Sequence, residues 1–378
     1  RSSAINPSDV SSFRERQKPA EKSSTPLRAT RKILGIGKDR IDTIGEMDAK
    51  SALYYGLSPG VVKSIQHHEA RRIEDAMQNI KYFYGGNIHN TLFAANALGT
   101  PTRYLNIVGG HKVRDRRVKF DVLKNMQVIT LASPGTRETR TQIAVLPDGE
   151  YAATSVRNNT DIIIPRTVLD HIGKDAQYIL TKAAFLERPS NIPKVNEIFD
   201  KNKLSGGTNI LHLENIENLN IKIPEIGDMI KKGRLNVVIG SLPECKIFFG
   251  LSDHINYRHL TFEEMRDQVI ANAHNHKIHT VCTLGSHGAV IIDKGSVYYV
   301  PAKQISDIND KIGAGDAFAG GYLAGLARHL NHREAAEFGN LAAVETLEHQ
   351  GPRAPLASLK PIAEMLENHS KLRAQISK

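Results

Sequence analysis

Apolar residues along this chain follow two alternating rhythms. Compact blocks such as "KILGIG", "TRYLNIVGG", "AQYILTKA", "TNILHLEN", "LNVVIGSL" and "HTVCTLG" are bounded by Gly or polar residues, the pattern of strands buried on both faces. Other segments carry apolar residues at helical spacing: "GGNIHNTLFAANALG" (85–99), "AGDAFAGGYLAGLARHL" and "NHREAAEFGNLAAVETLEHQG", the last with Gly351 as its stop signal. "RTQIAVLPDGEYAATSV" (140–156) alternates on either side of Asp148-Gly149 and predicts a hairpin. From about residue 160 strands and helices alternate, which predicts parallel strands joined by crossover helices. The fold class is therefore α/β, a three-layer α/β/α domain with a mainly parallel sheet and a small inserted β lid. The expected organisation is a basic extended arm at 1–31, one domain at 32–370 with lid strands within about 42–60 and 100–160, and a tail at 371–378.

Composition adds a core and an electrostatic bias. With 378 residues, 40% of them hydrophobic, the chain can bury a large interior. No apolar run is long enough to cross a bilayer, so no membrane partner is expected. Cys245 and Cys282 lack metal-ligand spacing and predict buried thiols in a reducing compartment. The net charge is +10, and residues 1–32 supply +5 of it, with eight Lys/Arg against Asp9, Glu15 and Glu21. Such a balance invites a polyanionic partner. The segment is rich in Ser, Pro and Arg and has no core of its own; it reads as the remainder of a mitochondrial-type transit sequence or as an ordinary disordered extension.

The chemistry concentrates in "DKIGAGDAFAGG" (310–321), where glycines surround Asp316 at the start of an apolar helical pattern. Unpaired N–H groups and the dipole at a helix N-terminus favour an anion, and glycines let the backbone approach it. Asp316 is then placed as a general base, with Gly313, Ala314 and Gly315 as an anion hole for a transferring phosphoryl group. The same glycines also suit a close helix-packing surface, and the stretch alone does not separate the two. "TLGSHGAVI" (283–291) is a second Gly turn after a strand, as in a nucleotide-phosphate loop.

Taken together, these turns and the helix-opening Gly85-Gly86 resemble the ribokinase-like (PfkB) family of sugar and nucleoside kinases, in the order of its adenosine-kinase-like members. The resemblance covers nearly all of 32–360. It implies ATP and magnesium as cofactors and Asp316 as the base. It also implies that Asp42, closing the first strand, binds substrate hydroxyls with Gly85, Gly86 and Asn90. Thr283, Gly285 and Gly288 correspond to the nucleotide loop, and Glu244 in "SLPE" to the acid that organises magnesium and phosphates.

Departures cluster on the substrate and metal side. Lys38 follows Gly37 where the family favours Asn, and Ser241 stands where the family has Asn before Glu244. Tyr151 and Ala152 follow the lid turn, "HLENIE" (212–217) lacks the expected strand-end acid, and "VGGHKVRDRRVKF" (108–120) carries Lys112, Arg114, Arg116, Arg117 and Lys119 in place of acids. Two functions follow. The favoured expectation is a kinase-derived protein with impaired or absent catalysis, a basic subunit of a mitochondrial ribosomal or similar assembly. It would contact structured RNA through Arg14, Arg16, Lys18, Arg31, Lys32, Lys112, Arg114, Arg116 and Arg117 and dock against neighbouring proteins. The alternative is an active ATP-dependent nucleoside or sugar kinase acting on a hydroxymethyl group. "HKVRDRR" alone also fits a solvated surface loop.

Overall fold

The computed structural model describes residues 32–58, 62–109, 123, 125–133, 139–147, 150–156, 163–169, 172, 176–213, 219–251, 261–306 and 308–376. Fourteen strands are formed by these residues. They are β1 (Ile33–Gly37), β2 (Arg40–Glu46), β3 (Val62–Ser64), β4 (Gln78–Gly85), β5 (Thr102–Gly109), β6 (Met126–Ser133), β7 (Thr139–Val145), β8 (Tyr151–Val156), β9 (Tyr178–Lys182), β10 (Thr208–His212), β11 (Val237–Ser241), β12 (His279–Thr283), β13 (Ala289–Asp293) and β14 (Ser296–Val300). The α-helices are α1 (Ala49–Tyr54), α2 (His67–Asp75), α3 (Asn87–Ala97), α4 (Arg166–Leu169), α5 (Ile192–Leu204), α6 (Pro224–Lys231), α7 (Leu242–Phe248), α8 (Phe262–His276), α9 (Ala314–Ala327), α10 (His332–Leu347) and α11 (Leu356–Ile376).

Nine strands form the main sheet in the order β14-β13-β12-β11-β10-β9-β1-β5-β6. It is parallel except at the β12–β13 and β13–β14 pairings. Neighbouring positions on each strand face opposite layers, so Leu211 and Val238 pack with α5, α6, α7 and α8, whereas Ile210 and Ile239 pack with α3, α9, α10 and α11. Both faces are covered, which is why these strands read as unbroken apolar blocks. The buried thiols Cys245 and Cys282 belong to the first of these cores.

A second sheet, ordered β3-β8-β7-β2-β4, forms the lid. One face packs against α1 and α2 through Met47, Ala52, Ala70, Ile73 and Ala144. The other presents Ile44, Ile143 and Ala153 beside Phe83 and Ile312. The expected hairpin is present as antiparallel β7–β8. The β5 and β6 strands, within the range expected for the lid, instead extend the main sheet, while β3 and β4 complete the lid from beyond residue 60. One structural correction concerns Asp42. It does not close the first strand: β1 ends at Gly37, Lys38 and Asp39 turn the chain, and Asp42 lies inside β2 of the lid.

Helix α9 is enclosed on all sides, and its glycines serve both readings of the sequence. A Cβ on Gly320 would press on Thr91 and Ala94 of α3, and one on Gly321 would press on Phe338 of α10. Gly313 and Gly315, at the N-terminal end of the same helix, shape the functional cleft.

Candidate functional site

The cleft lies where the C-terminal ends of the parallel strands meet the lid. Its volume is about 370 Å³, and its wall includes Arg40, Asn90, His212, Glu244, Thr283 and Asp316. Gly313 caps α9 with φ +78°, and a Cβ there would overlap the Pro352 backbone. The glycine therefore lets the "GAGD" turn nest against the turn at Gly351-Pro352. Asp310 locks the two together: its Oδ1 accepts from Ile312 N and its Oδ2 from Gly351 N, each at 2.9 Å.

Asp316 sits in the first turn of α9 and is 4% exposed. Asn90 Nδ2 donates to its Oδ2 at 2.9 Å. His212 Nε2, from the end of β10, stands 3.6 Å from its Oδ1. Arg353 Nε donates to Asn90 Oδ1 at 3.0 Å, so the Asn90 amide is oriented from both ends. Arg353 also lies over the Phe93 ring. The carboxylate is thereby held at the start of a helix, facing the cleft.

The substrate side differs from the expectation. Asp42 is fully buried and ion-paired to Arg40 Nε at 2.8 Å, while Arg40 itself lines the cleft. Gly85 lacks a side chain because the Asp42 carboxylate fills that space. Gly86 caps α3 at φ +114° and presses close to the Lys38 carbonyl. Asp39 anchors a buried network next to it, accepting from Tyr104 Oη at 2.8 Å and Asn106 Nδ2 at 2.5 Å, with His89 Nδ1 at 3.2 Å. Lys38 is 6% exposed. Burial, with Lys182 nearby adding repulsion, lowers its pKa to about 8.

On the nucleotide and metal side, Thr283, Ser241 and Glu244 line the cleft. Ser241 caps α7: its N and Oγ donate to Glu244 Oε2 at 2.7 and 2.9 Å. The Ser in place of Asn thus preserves a link to the acid. Gly285 and Gly288 shape the 283–288 loop at φ +60° and +92° but are not cleft-lining. A Cβ on Gly285 or on cleft-lining Gly315 would meet nothing within 4 Å, leaving the open space that a phosphate chain needs. Hard oxygen donors from Glu244 and Ser241 suit magnesium. The residues present thus fit both cofactors.

Ala314 opens α9 between the two glycines. Lys32 is exposed just before β1, and Arg14, Arg16, Lys18, Arg31, Lys112, Arg114, Arg116 and Arg117 lie outside the described residues. Sequence reasoning missed Arg40, His212, Lys311 and Arg353 as site residues. The first two follow strand register, since each lies at a strand terminus facing the lid cleft, a signal that the blocks "DRID" and "ILHL" carry only once the topology is known.

Comparison with known proteins agrees with this geometry. Residues 61–359 match the model of the pfkB family carbohydrate kinases. The chain belongs to that family. Among solved structures, adenosine kinase from Sinorhizobium meliloti superimposes with a TM-score of 0.72 at 21% identity, covering 89% of this chain and 99% of that one. Adenosine kinase from Schistosoma mansoni, in complex with 2-fluoroadenosine, gives 0.68 at 16% identity, covering 85% and 97%. Arabidopsis thaliana ribokinase, complexed with ribose and ATP, gives 0.61 at 15%, covering 89% and 99%. These likenesses show the ribokinase-like fold. In sequence, the chain is 37% identical over 95 residues to inositol 3-kinase from Arabidopsis thaliana, a match that covers 24% of this chain and about a quarter (26%) of that relative's length. This pfkB-family chain therefore shares its fold with nucleoside and sugar kinases.

Proposed function

We propose that this protein is an ATP-dependent kinase that phosphorylates a hydroxyl of a small hydroxylated acceptor, a sugar, cyclitol or nucleoside. The observation that carries the reading is the placement of Asp316: a buried carboxylate in the first turn of α9, oriented by Asn90 and beside an open Gly turn in the cleft. A cleft of about 370 Å³ suits a monosaccharide-sized acceptor and a phosphate chain.

In this reading Asp316 takes the acceptor's hydroxyl proton as its oxygen forms the new bond to the γ-phosphorus and the bond to the bridging oxygen breaks. The N–H groups at the start of α9 hold the charge that develops on the transferring group. Asn90 and His212 keep the carboxylate aimed, and Lys311 in the cleft wall favours the phosphate chain. Magnesium, when bound, would neutralise phosphate oxygens, and Glu244 with Ser241 is the oxygen-donor pair placed to hold its shell. The test is acceptor-dependent ADP release over a panel of sugars, cyclitols and nucleosides, with Asp316→Asn as control. Loss of release in the control supports the reading.

A second reading is favoured first by charge. The +10 balance, half of it in residues 1–32, suits a basic subunit contacting RNA in a mitochondrial ribosomal or related assembly with catalysis impaired. The enclosed Asp42–Arg40 pair, which engages the acid expected to read hydroxyls, also supports it. RNA that co-purifies with the chain and is lost steeply with salt, together with absent turnover, would favour this reading over the first.

A further inference from the structure

At the end of β12 opposite the cleft lies a polar cluster that the proposed reaction does not use. His279 opens β12, Asp293 closes antiparallel β13 directly opposite it, and His332 is the first residue of α10. Tyr322, from α9, is fully buried between the two imidazoles. Thr283, which lines the cleft, lies at the other end of β12.

The four groups form a closed ring. His279 Nδ1 stands 3.1 Å from Asp293 Oδ1, and His332 Nε2 stands 3.5 Å from Asp293 Oδ2. The other nitrogens both reach Tyr322 Oη, His279 Nε2 at 3.0 Å and His332 Nδ1 at 2.8 Å. Counting protons shows what this ring lacks. Two neutral imidazoles and one phenol bring three protons, whereas the ring has four gaps to bridge. Three protons serve the three contacts of 3.1 Å or less, so it is across the 3.5 Å gap between His332 Nε2 and Asp293 Oδ2 that lone pair faces lone pair and a positive partner fits.

We propose that His279, Asp293 and His332 bind one divalent transition cation of the zinc type. Their donor atoms all lie within 4.8 Å of one another. His279 Nδ1 lies 3.1 Å from Asp293 Oδ1 and His332 Nε2 lies 3.5 Å from Oδ2, each near the donor–donor edge of about 3.4 Å expected for tetrahedral bonds of about 2.1 Å, so a small rotation of the carboxylate would present one oxygen to a shared cation. With the cation on His279 Nδ1 and His332 Nε2, both remaining nitrogens carry protons, and Tyr322 Oη accepts from both through its two lone pairs. That arrangement fixes both tautomers, the role an outer partner plays in a metal site. Two imidazoles and one carboxylate suit zinc and disfavour magnesium or calcium.

His332 and Asp293 remain 32% and 23% exposed, leaving an approach from solvent and a position for water as fourth ligand. Lys294, next to Asp293, places a positive charge near the cluster, which weakens the hold on a cation. A cation here would tie the β12–β13 edge to both α9 and α10, and α9 carries Asp316 two turns away. The site would thus act on stability and not on the chemistry itself.

The test uses the full chain, without a polyhistidine tag, stripped by chelator and titrated with zinc sulfate against a chromogenic competitor. The expected result is one equivalent bound per chain, weakened at least tenfold in His332→Ala and Asp293→Asn and unchanged in His68→Ala, which alters an exposed histidine elsewhere. Tyr322→Phe keeps the ligands and is expected to bind with intermediate loss; circular dichroism confirms that each variant folds, with His332→Gln replacing any that does not. Zinc should raise the melting temperature of the parent chain and leave that of His332→Ala unmoved. Absence of binding, or equal binding by the parent and both ligand variants, would overturn the proposal; so would a ring completed by a fourth proton, seen as no zinc uptake at any pH from 6 to 8.

Discussion

Asn90 and Asp316, 226 residues apart in sequence, meet at 2.9 Å through a hydrogen bond from Nδ2 to Oδ2. The bond joins the two helices that define the cleft, α3 and α9. Asn90→Ala removes a donor to a carboxylate that is almost fully buried, which should destabilise the chain by about 2 kcal/mol. Asn90→Asp places a second carboxylate there and should cost more. Denaturant midpoints measured against the parent chain check both, and the order of the two variants checks the charge argument.

Gly315 separates the structural from the functional demands of the Gly turn. A Cβ at this position meets nothing within 4 Å, so Gly315→Ala should fold with unchanged or slightly raised stability, by at most about 1 kcal/mol. The added methyl occupies the space proposed for phosphate, and turnover should fall at least tenfold. Gly313→Ala is the converse: at φ +78° its Cβ overlaps Pro352, so the loss, about 2–4 kcal/mol, appears in the melting curve itself.

How much of this was legible follows from how locally each feature is encoded. Six of the nine main-sheet strands stood out because burial on both faces leaves continuous apolar blocks, as in "VVIGS" of β11; edge strand β14, "SVYYV", is largely exposed and gives no such block. The lid was harder, because β4 reads "QNIKYFYG" with its first residues exposed, so neither alternation nor a block appears. Helix α11 has an internal Pro361 and mixed faces, which hid a helix of 21 residues. Asp316 and its glycines were readable because their geometry is set within one turn. Arg353 reaches Asn90 across 263 residues, and its part in the site exists only after folding.

Lys38 links the buried turn to pH. Its pKa lies near 8 in the folded chain against an ordinary 10.5. The unfolded chain binds more protons between those values, so stability should rise as pH climbs from about 8 to 10.5, by on the order of 3 kcal/mol. Below pH 8 the charged, desolvated ammonium costs that amount throughout. Lys38→Met should remove this dependence and leave a flatter profile; urea unfolding at pH 7 and pH 10 measures the difference.

The Arg40–Asp42 pair is a separate test of the substrate side. Asp42 is fully enclosed, so Arg40→Ala removes the cation paired with its carboxylate at 2.8 Å and should destabilise by about 3 kcal/mol. Adding Asp42→Asn should recover much of that loss. A double-mutant cycle on unfolding free energy reads the coupling directly, and additive losses would mean that the pair contributes little.

Acceptor-dependent ADP release, compared between the parent chain and Asp316→Asn, tests the central claim most directly. The account predicts turnover with at least one sugar, cyclitol or nucleoside and a fall of about 10²–10⁴-fold in the variant, with its melting temperature retained. Equal rates in the two proteins, or ATP hydrolysis that no acceptor accelerates, would contradict it.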